Sequence, residues 1–343
     1  MQVKENFSLK AYNTFGIDAR ARFFNEFSSV DELEEFLMFY SQYPVFILGG
    51  GSNILFIKDY DGVVLKDEIK GIEIQHEDAE YVYVKVGAGE NWHQFVLHCI
   101  EHGWAGVENL SLIPGNVGAS PIQNIGAYGV ELDDVFWSLE AFHLSERRVH
   151  TFTRSDCEFG YRDSIFKNRY KDEFAILSVT LQLKKHPVFH TSYGAITEKL
   201  EKMGVKELSI KAISQAVINI RSSKLPDPIV IPNAGSFFKN PEVEMARYEE
   251  LKTKFPDLIA YPLTKGTVKL AAGWMIEQCG PDKTGTSWKG YRKDDAGCHA
   301  KQALVLVNYG NATGKEIYEL SEQILQSVKN KFGVLLEREV NII

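Results

Sequence analysis

The chain has few cysteines for its length, and they lie far apart. Its 343 residues include four of them, Cys99, Cys157, Cys279 and Cys298. No CxxC pair occurs, which excludes a disulfide scaffold and argues against a structural zinc site. The pattern H-x-x-E-H from His98 to His102 is typical of one metalloprotease group, but His102 falls at the end of a predicted helix, where the dipole favours a cation. We therefore expect no bound metal.

An excess of basic residues is also absent. The formal net charge is −8 and the pI is about 5.7. Proteins that bind nucleic acids normally carry a basic face and a much higher pI. We exclude a nucleic-acid partner, and any phosphate-bearing ligand must be held by local positive charge.

Long apolar runs are missing as well. No stretch reaches the ~18 apolar residues of a membrane span. The first ten residues, MQVKENFSLK, contain no apolar segment of the kind found in signal peptides. We therefore expect a cytoplasmic protein without a membrane partner. At roughly 100–200 residues per domain, the length suggests two or three domains.

Strand-like and helix-like segments alternate along the chain, which favours an α/β or α+β protein. Apolar runs predict strands at 45–48, 81–86, 174–183, 303–307 and 335–343. Helices are predicted from residue 29 onward, at 209–221, near 242–254 and 267–279, and from 313 to 332, where Gly333 ends the last one. The proline-rich segment Leu225–Pro228 marks a candidate domain boundary.

Two segments rich in glycine are candidates for binding phosphates. The first glycine loop, GGGSN at 49–53, directly follows a predicted strand, and its backbone amides can form an anion-binding nest. It is neither a Walker A loop nor a dinucleotide fingerprint. The second glycine loop, IPGNVGASPIQNIGAYG at 113–129, contains too many small residues for a regular helix or strand. A tight turn and a long structural loop remain the alternatives for these two segments.

Three further segments place reactive side chains together. GYRDSIFK at 160–167 sets Arg162 among aromatic residues, although an Arg162–Asp163 ion pair is an equally simple interpretation. NAGSFFKNP at 233–241 presents Ser236 after a turn, with no His–Asp pair placed for a hydrolase. Glu337 and Glu339 are two apart on a predicted strand, so they point to one face, which is typical of a solvated edge.

Taken in order, these segments resemble the UDP-N-acetylenolpyruvoylglucosamine reductases (MurB) of peptidoglycan precursor synthesis. The resemblance runs from NTFG at 13–16 through both glycine loops, GYRDSIFK, KLPDP and NAGSFFKNP to LEREV at 336–340. It therefore covers essentially the whole chain. The stretch around Tyr193 is similar to the tyrosine loop of one subtype.

The resemblance implies an α+β, p-cresol methylhydroxylase-type FAD-binding fold and a C-terminal α/β substrate domain. Residues 1–70 would form the first FAD-binding subdomain, with 333–343 returning to it. Residues 71–222 would form the second, and 223–332 the substrate domain. The FAD would be bound non-covalently. The residues implied to bind it are Gly49, Gly50, Gly51, Ser52, Asn53, Ile113, Pro114, Gly115, Val117, Gly118, Ala119, Ser120, Ile122, Asn124 and Gly126.

The same resemblance implies a reaction. NADPH would reduce FAD, and hydride would pass to the β-carbon of the enolpyruvyl group, giving UDP-N-acetylmuramate. Arg162 would stabilise the negative charge that develops on the substrate carboxylate. Ser236 would donate a proton to the α-carbon, with Lys239 and Lys224 supplying nearby positive charge. Glu339, chosen over Glu337 by the motif alone, would assist.

The implied substrate is a nucleotide sugar, bound by a monomer. The residues implied to hold it are Tyr161, Tyr193, Lys224, Asn240, Tyr261, Lys269 and Gln302. One departure from the family pattern lies between Cys279 and His299, where Asp294-Asp295-Ala296 replaces the usual glycine pair before alanine. Two alternatives are a related flavin oxidase acting on a sugar or lactone, and a nucleotide-sugar binding module without turnover.

Overall fold

A computed structural model describes residues 3–193, 195–263, 266–281 and 286–343. In it the chain forms two compact units. Unit 1 comprises Met1–Phe7, Ala21–Gly51 and Tyr60–Ser223, and unit 2 comprises Ser8–Arg20, Ser52–Asp59 and Lys224–Ile343. The C-terminal residues 333–343 thus belong to the same unit as 224–332. The three-part division given above stays a prediction.

Unit 1 combines two main sheets with four helices. Its strands are β1 (Lys4–Ser8), β2 (Arg20–Phe27), β3 (Val45–Leu48), β5 (Tyr60–Asp67), β6 (Ile72–Glu77), β7 (Tyr81–Gly87), β8 (Gly126–Ala127), β9 (Val130–Glu131), β10 (Phe136–His143), β11 (Arg148–Thr153) and β12 (Phe174–Lys184). Its helices are α1 (Val30–Phe39), α2 (Trp92–Glu101), α3 (Ile196–Lys202) and α4 (Ile210–Lys224), the last residue of which already belongs to unit 2.

The first sheet of unit 1 has the order β1-β2-β5-β3, with β5 parallel to both β2 and β3. Helix α1 starts where predicted, because the Ser29 hydroxyl accepts a hydrogen bond from the Glu32 amide at 3.2 Å. The second sheet is antiparallel, in the order β11-β10-β12-β7-β6. Helix α2 packs Trp92, Phe95 and Val96 into the core beneath it. The two glycine loops are therefore anchored in packed cores.

Unit 2 is built from short strands and one long helix. Its strands are β4 (Ile54–Leu55), β13 (Asn233–Ser236), β14 (Glu242–Glu244), β15 (Ala260–Pro262), β16 (Thr267–Leu270), β17 (Arg292–Lys293), β18 (Ala296–Cys298), β19 (Val305–Asn308) and β20 (Asn341–Ile342). Its helices are α5 (Met245–Lys254), α6 (Ala272–Glu277) and α7 (Gly314–Phe332). The sheets run β13-β19-β18-β17, β14-β16-β15 and β20-β4.

The long helix α7 follows its sequence signals closely. Thr313 and Glu316 form a capping box at its start, and Gly333 ends it in the left-handed conformation with φ 65°. Its buried face includes Ile317, Ile324 and Val328. Strong local signals at both ends explain why this helix was predictable.

Three secondary-structure predictions are wrong in extent. Thr267–Leu270, expected in a helix, forms β16, which pairs with β14 on one side and β15 on the other. Glu242–Glu244 is likewise a strand, so α5 begins only at Met245. In place of a strand over 335–343, β20 covers Asn341–Ile342 and pairs in parallel with β4. All three segments are fixed by partners distant in sequence.

Both α and β elements are therefore present in each unit, which confirms the predicted mixed class. Among the residues that the structure describes, no helix combines the length and apolar character needed to cross a membrane.

Candidate functional site

The two glycine loops touch each other within unit 1. A Cβ added to Gly50 would lie 2.8 Å from the Cα of Gly115 and 2.9 Å from Oδ1 of Asn116. Gly51 and Gly115 have φ of 62° and 108°, conformations that side chains other than glycine rarely adopt. Gly50 and Gly115 are half-buried, and neither has a side chain that would cover its backbone. Such a surface fits close approach by the phosphates of a dinucleotide.

The second glycine loop is held by its own backbone hydrogen bonds. The amides of Val117 and Gly118 donate to the carbonyls of Glu90 and Ala88, at 2.8 and 2.9 Å. A Cβ on Gly118 would lie 2.5 Å from the Cβ of Ala88, so the two segments are in direct contact. These two amides already have acceptors. A ligand therefore meets this part of the loop as a packed surface rather than as a set of free donors.

Two of the predicted cofactor residues use their side chains inside the loop. The Ser120 hydroxyl donates to the carbonyl of Val117 at 2.6 Å. The buried Asn124 donates to the Glu131 carboxylate at 2.9 Å and accepts from the Asp133 amide at 3.0 Å. Their side chains therefore fix the shape of the loop. The cofactor role that the resemblance implies for these two residues stays a prediction.

Arg162 lies in a tight turn closed by two backbone hydrogen bonds between Gly160 and Asp163, of 3.0 and 3.2 Å. Its own φ is 53°, in the left-handed region. The guanidinium donates to the carbonyls of Gly126 and Asn124, the latter at 3.4 Å. Its ion-pair partner at 3.6 Å is Glu131, and its side chain is 17% exposed. Asp163, the partner suggested by sequence, instead accepts from Asn168 at 2.8 Å.

A second arginine was missed by the sequence reasoning. Arg221, near the end of α4, is partly buried, and its buried Nε has no hydrogen-bond partner among the described residues. Burial lowers the pKa of Arg221, the Tyr128 phenol opposes that shift, and the positive charge of Arg162 adds to it. The stretch RSSK before the KLPDP motif contains this residue, but a single arginine on a predicted helix gives no signal of burial.

Tyr193 packs on the second glycine loop. A Cβ added to Gly129, whose φ is 81°, would lie 3.2 Å from the Cβ of Tyr193. The Tyr193 side chain is half exposed. Burial raises the pKa of Tyr128, and Tyr193 contributes to the same shift. Gly194, which completes the predicted tyrosine loop, lies outside the described residues.

Ser236 follows a β-bulge in unit 2. The preceding Gly235 has φ 71°, and its amide donates to the side chain of buried Asn233 at 2.9 Å. The register of β13 against β19 shifts between Asn233 and Ser236, which then pairs with Val305. The turn of small residues predicted from the sequence is thus a β-bulge, a feature that changes the direction of a side chain, here that of Ser236.

Glu339 lies on the neighbouring backbone. The Glu339 amide donates to the Phe237 carbonyl at 2.9 Å, and the Lys239 amide donates to the Glu337 carbonyl at 2.9 Å. The side chain of Asn53 donates to the Glu339 carbonyl at 3.2 Å. The structure therefore brings Ser236, Glu339 and the end of the first glycine loop together, a proximity that sequence reasoning did not predict for Asn53.

The two glutamates of the terminal motif have different surroundings. Glu337 pairs with Lys239 at 2.9 Å between Oε1 and Nζ, while its own side chain is 68% exposed. Lys239, 13% exposed, is thereby supplied with a counter-ion. Its charge is shared with Glu337 and is not available in full to Ser236.

Four of the five predicted sugar-binding residues of unit 2 lie on or beside α6 and β16. Asn240 accepts from the Ala272 amide at 2.9 Å, and Oε1 of Gln302 lies 2.9 Å from where a Cβ of Gly273 would be. Tyr261 and Lys269 face each other in register across β15 and β16. Lys224 is exposed at the end of α4. Tyr161, in unit 1, lies beneath the Arg162 guanidinium at 5.2 Å from ring centroid to Cζ.

The segment that departs from the family pattern forms a hairpin where it is described. Asp294 and Asp295 make the turn between β17 and β18, with Asp294 at φ 53°. Asp295 pairs with Arg292 at 2.9 Å. Residues 282–285 of the same segment lie outside the described part of the chain.

Comparison with known proteins gives two matching family models. The FAD binding domain matches residues 22–151, and the model described as UDP-N-acetylenolpyruvoylglucosamine reductase, C-terminal domain, matches residues 227–343. The solved structure of UDP-N-acetylenolpyruvylglucosamine reductase from Thermus caldophilus has a TM-score of 0.67 and covers 100% of this chain and 99% of its own, at 24% identity. The α+β FAD-binding fold and FAD as the cofactor are confirmed.

Relatives named UDP-N-acetylenolpyruvoylglucosamine reductase match over the full length. The protein of Amoebophilus asiaticus is 53% identical and that of Flavobacterium johnsoniae 49% identical, each with 100% of both chains covered. The protein of Pseudomonas syringae pv. syringae is 46% identical, with 100% of this chain and 99% of its own covered. The chain belongs to the UDP-N-acetylenolpyruvoylglucosamine reductase family.

Proposed function

We propose that this enzyme reduces the enolpyruvyl group of UDP-N-acetylglucosamine enolpyruvate to give UDP-N-acetylmuramate, with NADPH as the electron donor. This reaction is a step of peptidoglycan precursor synthesis. The observation that carries the proposal is the guanidinium of Arg162, which is mostly buried and fixed by two carbonyls and a carboxylate. A fixed, buried cation is what a reaction that builds negative charge on a carboxylate requires.

The backbone of the two glycine loops would hold FAD. Gly49 to Gly51 and Gly115 would allow close approach because they have no side chains, Pro114 would flank them, and Ser52 and Asn53 would add polar side chains. When bound, FAD carries hydride from NADPH to the β-carbon of the enolpyruvyl group. The protein supplies binding and electrostatics around that transfer.

Arg162 stabilises the charge produced by hydride addition. Adding hydride to the β-carbon moves an electron pair toward the α-carbon and its carboxylate. A guanidinium remains charged when buried and can bind a carboxylate through two N–H groups. Arg221 adds a second, partly buried cation to the same unit and strengthens the local positive potential. Together they attract an anionic substrate to a protein of net charge −8.

Ser236 donates the proton that the α-carbon requires. Hydride and proton together then balance the addition across the carbon–carbon double bond. The bulge at Gly235 fixes the serine backbone, and the Glu339 backbone is hydrogen-bonded to the next residue, Phe237. Glu339 assists this step. Holding a weak acid in one place is the main contribution a protein can make to such a transfer.

The nucleotide sugar is bound by lysines, tyrosines and amides. Lys224, Asn240, Tyr261, Lys269 and Gln302 provide these groups in unit 2, and Tyr161 and Tyr193 provide them in unit 1. Lys269 lies 3.7 Å from Glu242, so part of its charge is offset before substrate binds. We further infer that the enzyme acts as a monomer in the cytoplasm, which sedimentation and fractionation would test.

Replacement of Ser236 tests the reaction. In Ser236→Ala, stopped-flow absorbance should show flavin reduction by NADPH at the wild-type rate, while flavin reoxidation by the enolpyruvyl sugar collapses. Ser155→Ala, on an exposed turn, is the matched control and should leave both half-reactions unchanged. Unchanged reoxidation in Ser236→Ala would show that the proton comes from another group. Fast reoxidation by oxygen and none by the sugar would identify an oxidase instead.

A further inference from the structure

The surroundings of Arg162 point to a residue with no role assigned so far. Glu131 is the last residue of β9, and its Oε1 lies 3.6 Å from Nη1 of Arg162. Arg162 Nη1 also donates to the Asn124 carbonyl at 3.4 Å, and Nη2 donates to the Gly126 carbonyl. One side of the guanidinium is thus surrounded by two carbonyl oxygens and one carboxylate.

Glu131 is itself held from two directions. Its Oε2 accepts from Nδ2 of the buried Asn124 at 2.9 Å. Its backbone amide donates to the Asp134 carboxylate at 2.8 Å, as part of a capping box over a short helical turn at Leu132–Asp134. A carboxylate fixed in this way can fix its own partner, because neither side chain has to be ordered when substrate arrives.

Gly126 provides the space for this arrangement. A Cβ added there would lie 2.7 Å from Nη1 of Arg162 and 2.9 Å from Cγ of Glu131. Both side chains therefore rest directly on the bare backbone of the second glycine loop. A methyl group at this position would force the guanidinium, the Glu131 side chain or both to move.

We propose that Glu131, anchored by Asn124, is a positioning residue that orients the Arg162 guanidinium. This inference depends on the proposed function, since it assigns Glu131 a task through Arg162. The separation of 3.6 Å exceeds the about 2.8 Å typical of a tight charge-assisted hydrogen bond. Glu131 therefore orients the cation without neutralising it through a close bidentate pair.

The test uses the FAD-loaded enzyme and compares three variants in the turn around Glu131, with Arg162→Lys as a fourth. Glu131→Ala removes both the charge and the contact. Glu131→Gln keeps the length of the side chain and one oxygen for Asn124 or Arg162. Asp134→Ala is the matched control, because it removes the other half of the same capping box without touching Arg162. Thermal unfolding of all three shows how much each disturbs the turn.

We expect Glu131→Ala to slow flavin reoxidation by the enolpyruvyl sugar about 10- to 100-fold, the usual effect of displacing a catalytic group by about 1 Å. Glu131→Gln should fall between Ala and the wild type. Binding of UDP-N-acetylmuramate, followed by the change in flavin absorbance, should weaken in the same order. Asp134→Ala should lose stability while retaining wild-type reoxidation. Glu131→Gln keeps the length of the side chain, so it keeps the test valid where Glu131→Ala fails to fold.

Two outcomes overturn the inference. One is wild-type reoxidation in Glu131→Ala, or in Glu131→Gln where Glu131→Ala does not fold. The other is an equal loss in Glu131→Ala and Asp134→Ala, which would mean that Glu131 only supports the turn. Arg162→Lys separates this from a failure of the proposed function, since lysine keeps the charge but loses the planar fork. Wild-type reoxidation in Arg162→Lys would refute the role of Arg162 itself.

Discussion

The contact between the two glycine loops makes a quantitative prediction about Gly50. A methyl group on Gly50 would lie 2.8 Å from the Cα of Gly115 and 2.9 Å from Oδ1 of Asn116. The second loop cannot easily withdraw, because the Gly115 carbonyl accepts from the Trp92 amide at 3.0 Å and Asn116 donates to the Gly89 carbonyl at 3.1 Å. Gly50→Ala should therefore strain one loop or the other.

Gly49→Ala is the matched control in the same loop. A Cβ there would lie 3.9 Å from the Cβ atoms of Ala119 and Asn116, which is an ordinary contact. Both substitutions reduce the conformational entropy of the unfolded chain, which stabilises the folded state of each variant by about 0.4–1 kcal/mol. This contribution cancels when the unfolding free energies of the two variants are compared. What remains is the overpacking cost in Gly50→Ala, about 1–3 kcal/mol.

The assay is urea unfolding of the flavin-free protein, followed by tryptophan fluorescence. Gly50→Ala should unfold at lower urea than Gly49→Ala, by about 1–3 kcal/mol in unfolding free energy. It should also retain less FAD, because displacement of either loop spoils the surface that the cofactor needs. Equal stability of the two variants, together with full FAD content in Gly50→Ala, would refute the claim that the loops are in obligatory contact.

Two further predictions concern a buried acid and a bulge. Burial raises the pKa of Asp67 to about 7 from 3.8, so the folded protein keeps a proton that the unfolded chain releases above pH 3.8, and stability falls as pH rises toward 7. Asp67→Asn keeps an acceptor for the Ile69 amide and has no carboxyl to titrate, so its free energy of unfolding should not show this fall. Between pH 4 and 8 the wild type should lose about 4 kcal/mol of unfolding free energy relative to Asp67→Asn. The same pH dependence in both proteins would contradict this prediction. In Gly235→Ala the added methyl group would have no atom within 4 Å, but alanine would have to adopt φ 71°. The free energy of unfolding should therefore fall by about 1–2 kcal/mol. The same variant should slow flavin reoxidation by the enolpyruvyl sugar, because Ser236 moves. A wild-type unfolding free energy together with a wild-type reoxidation rate would show that the bulge does not need glycine.

The parts of the fold that the sequence predicted well are those with local signals at both ends. Helix α7 has a capping box at Thr313 and a left-handed glycine at 333, and α1 has Ser29 as its N-cap. Strand β3 is a short apolar run between Pro44 and the first glycine loop. Each of these elements is specified within a few residues of its own boundary, so no knowledge of distant partners is needed.

The segment Thr267–Leu270 shows why other elements were missed. The run from 267 to 279 is apolar without a proline, and its single internal glycine, Gly273, lies inside helix α6 rather than at the boundary. It becomes a strand because β14 and β15 pair with it on both sides. The change to α6 coincides with the Asn240 side chain, which accepts from the Ala272 amide across 32 positions in sequence. A boundary set by a distant side chain leaves no local trace.

The same reasoning applies to the candidate site. The resemblance supplied Arg162, Ser236 and Glu339, but which groups hold each of them is a matter of packing. Arg162 was given Asp163 as the simplest partner because the two are adjacent in sequence, whereas the structure pairs it with Glu131, 31 positions away. No sequence pattern indicated a functional role for Arg221 or Glu131, because burial and proximity are properties of the folded chain.

The first glycine loop shows the limit most clearly. In the sequence, GGGSN is one motif with one expected task. In the structure the two compact units divide it between Gly51 and Ser52. Gly50 packs on the second glycine loop, while Asn53 donates to the Glu339 carbonyl and accepts from the Asn341 amide at 3.0 Å. Substitution at Gly50 should therefore act on cofactor retention, and substitution at Asn53 on the terminal motif that carries Glu339. Neighbouring residues of one motif thus depend on different partners, and their functions have to be tested separately.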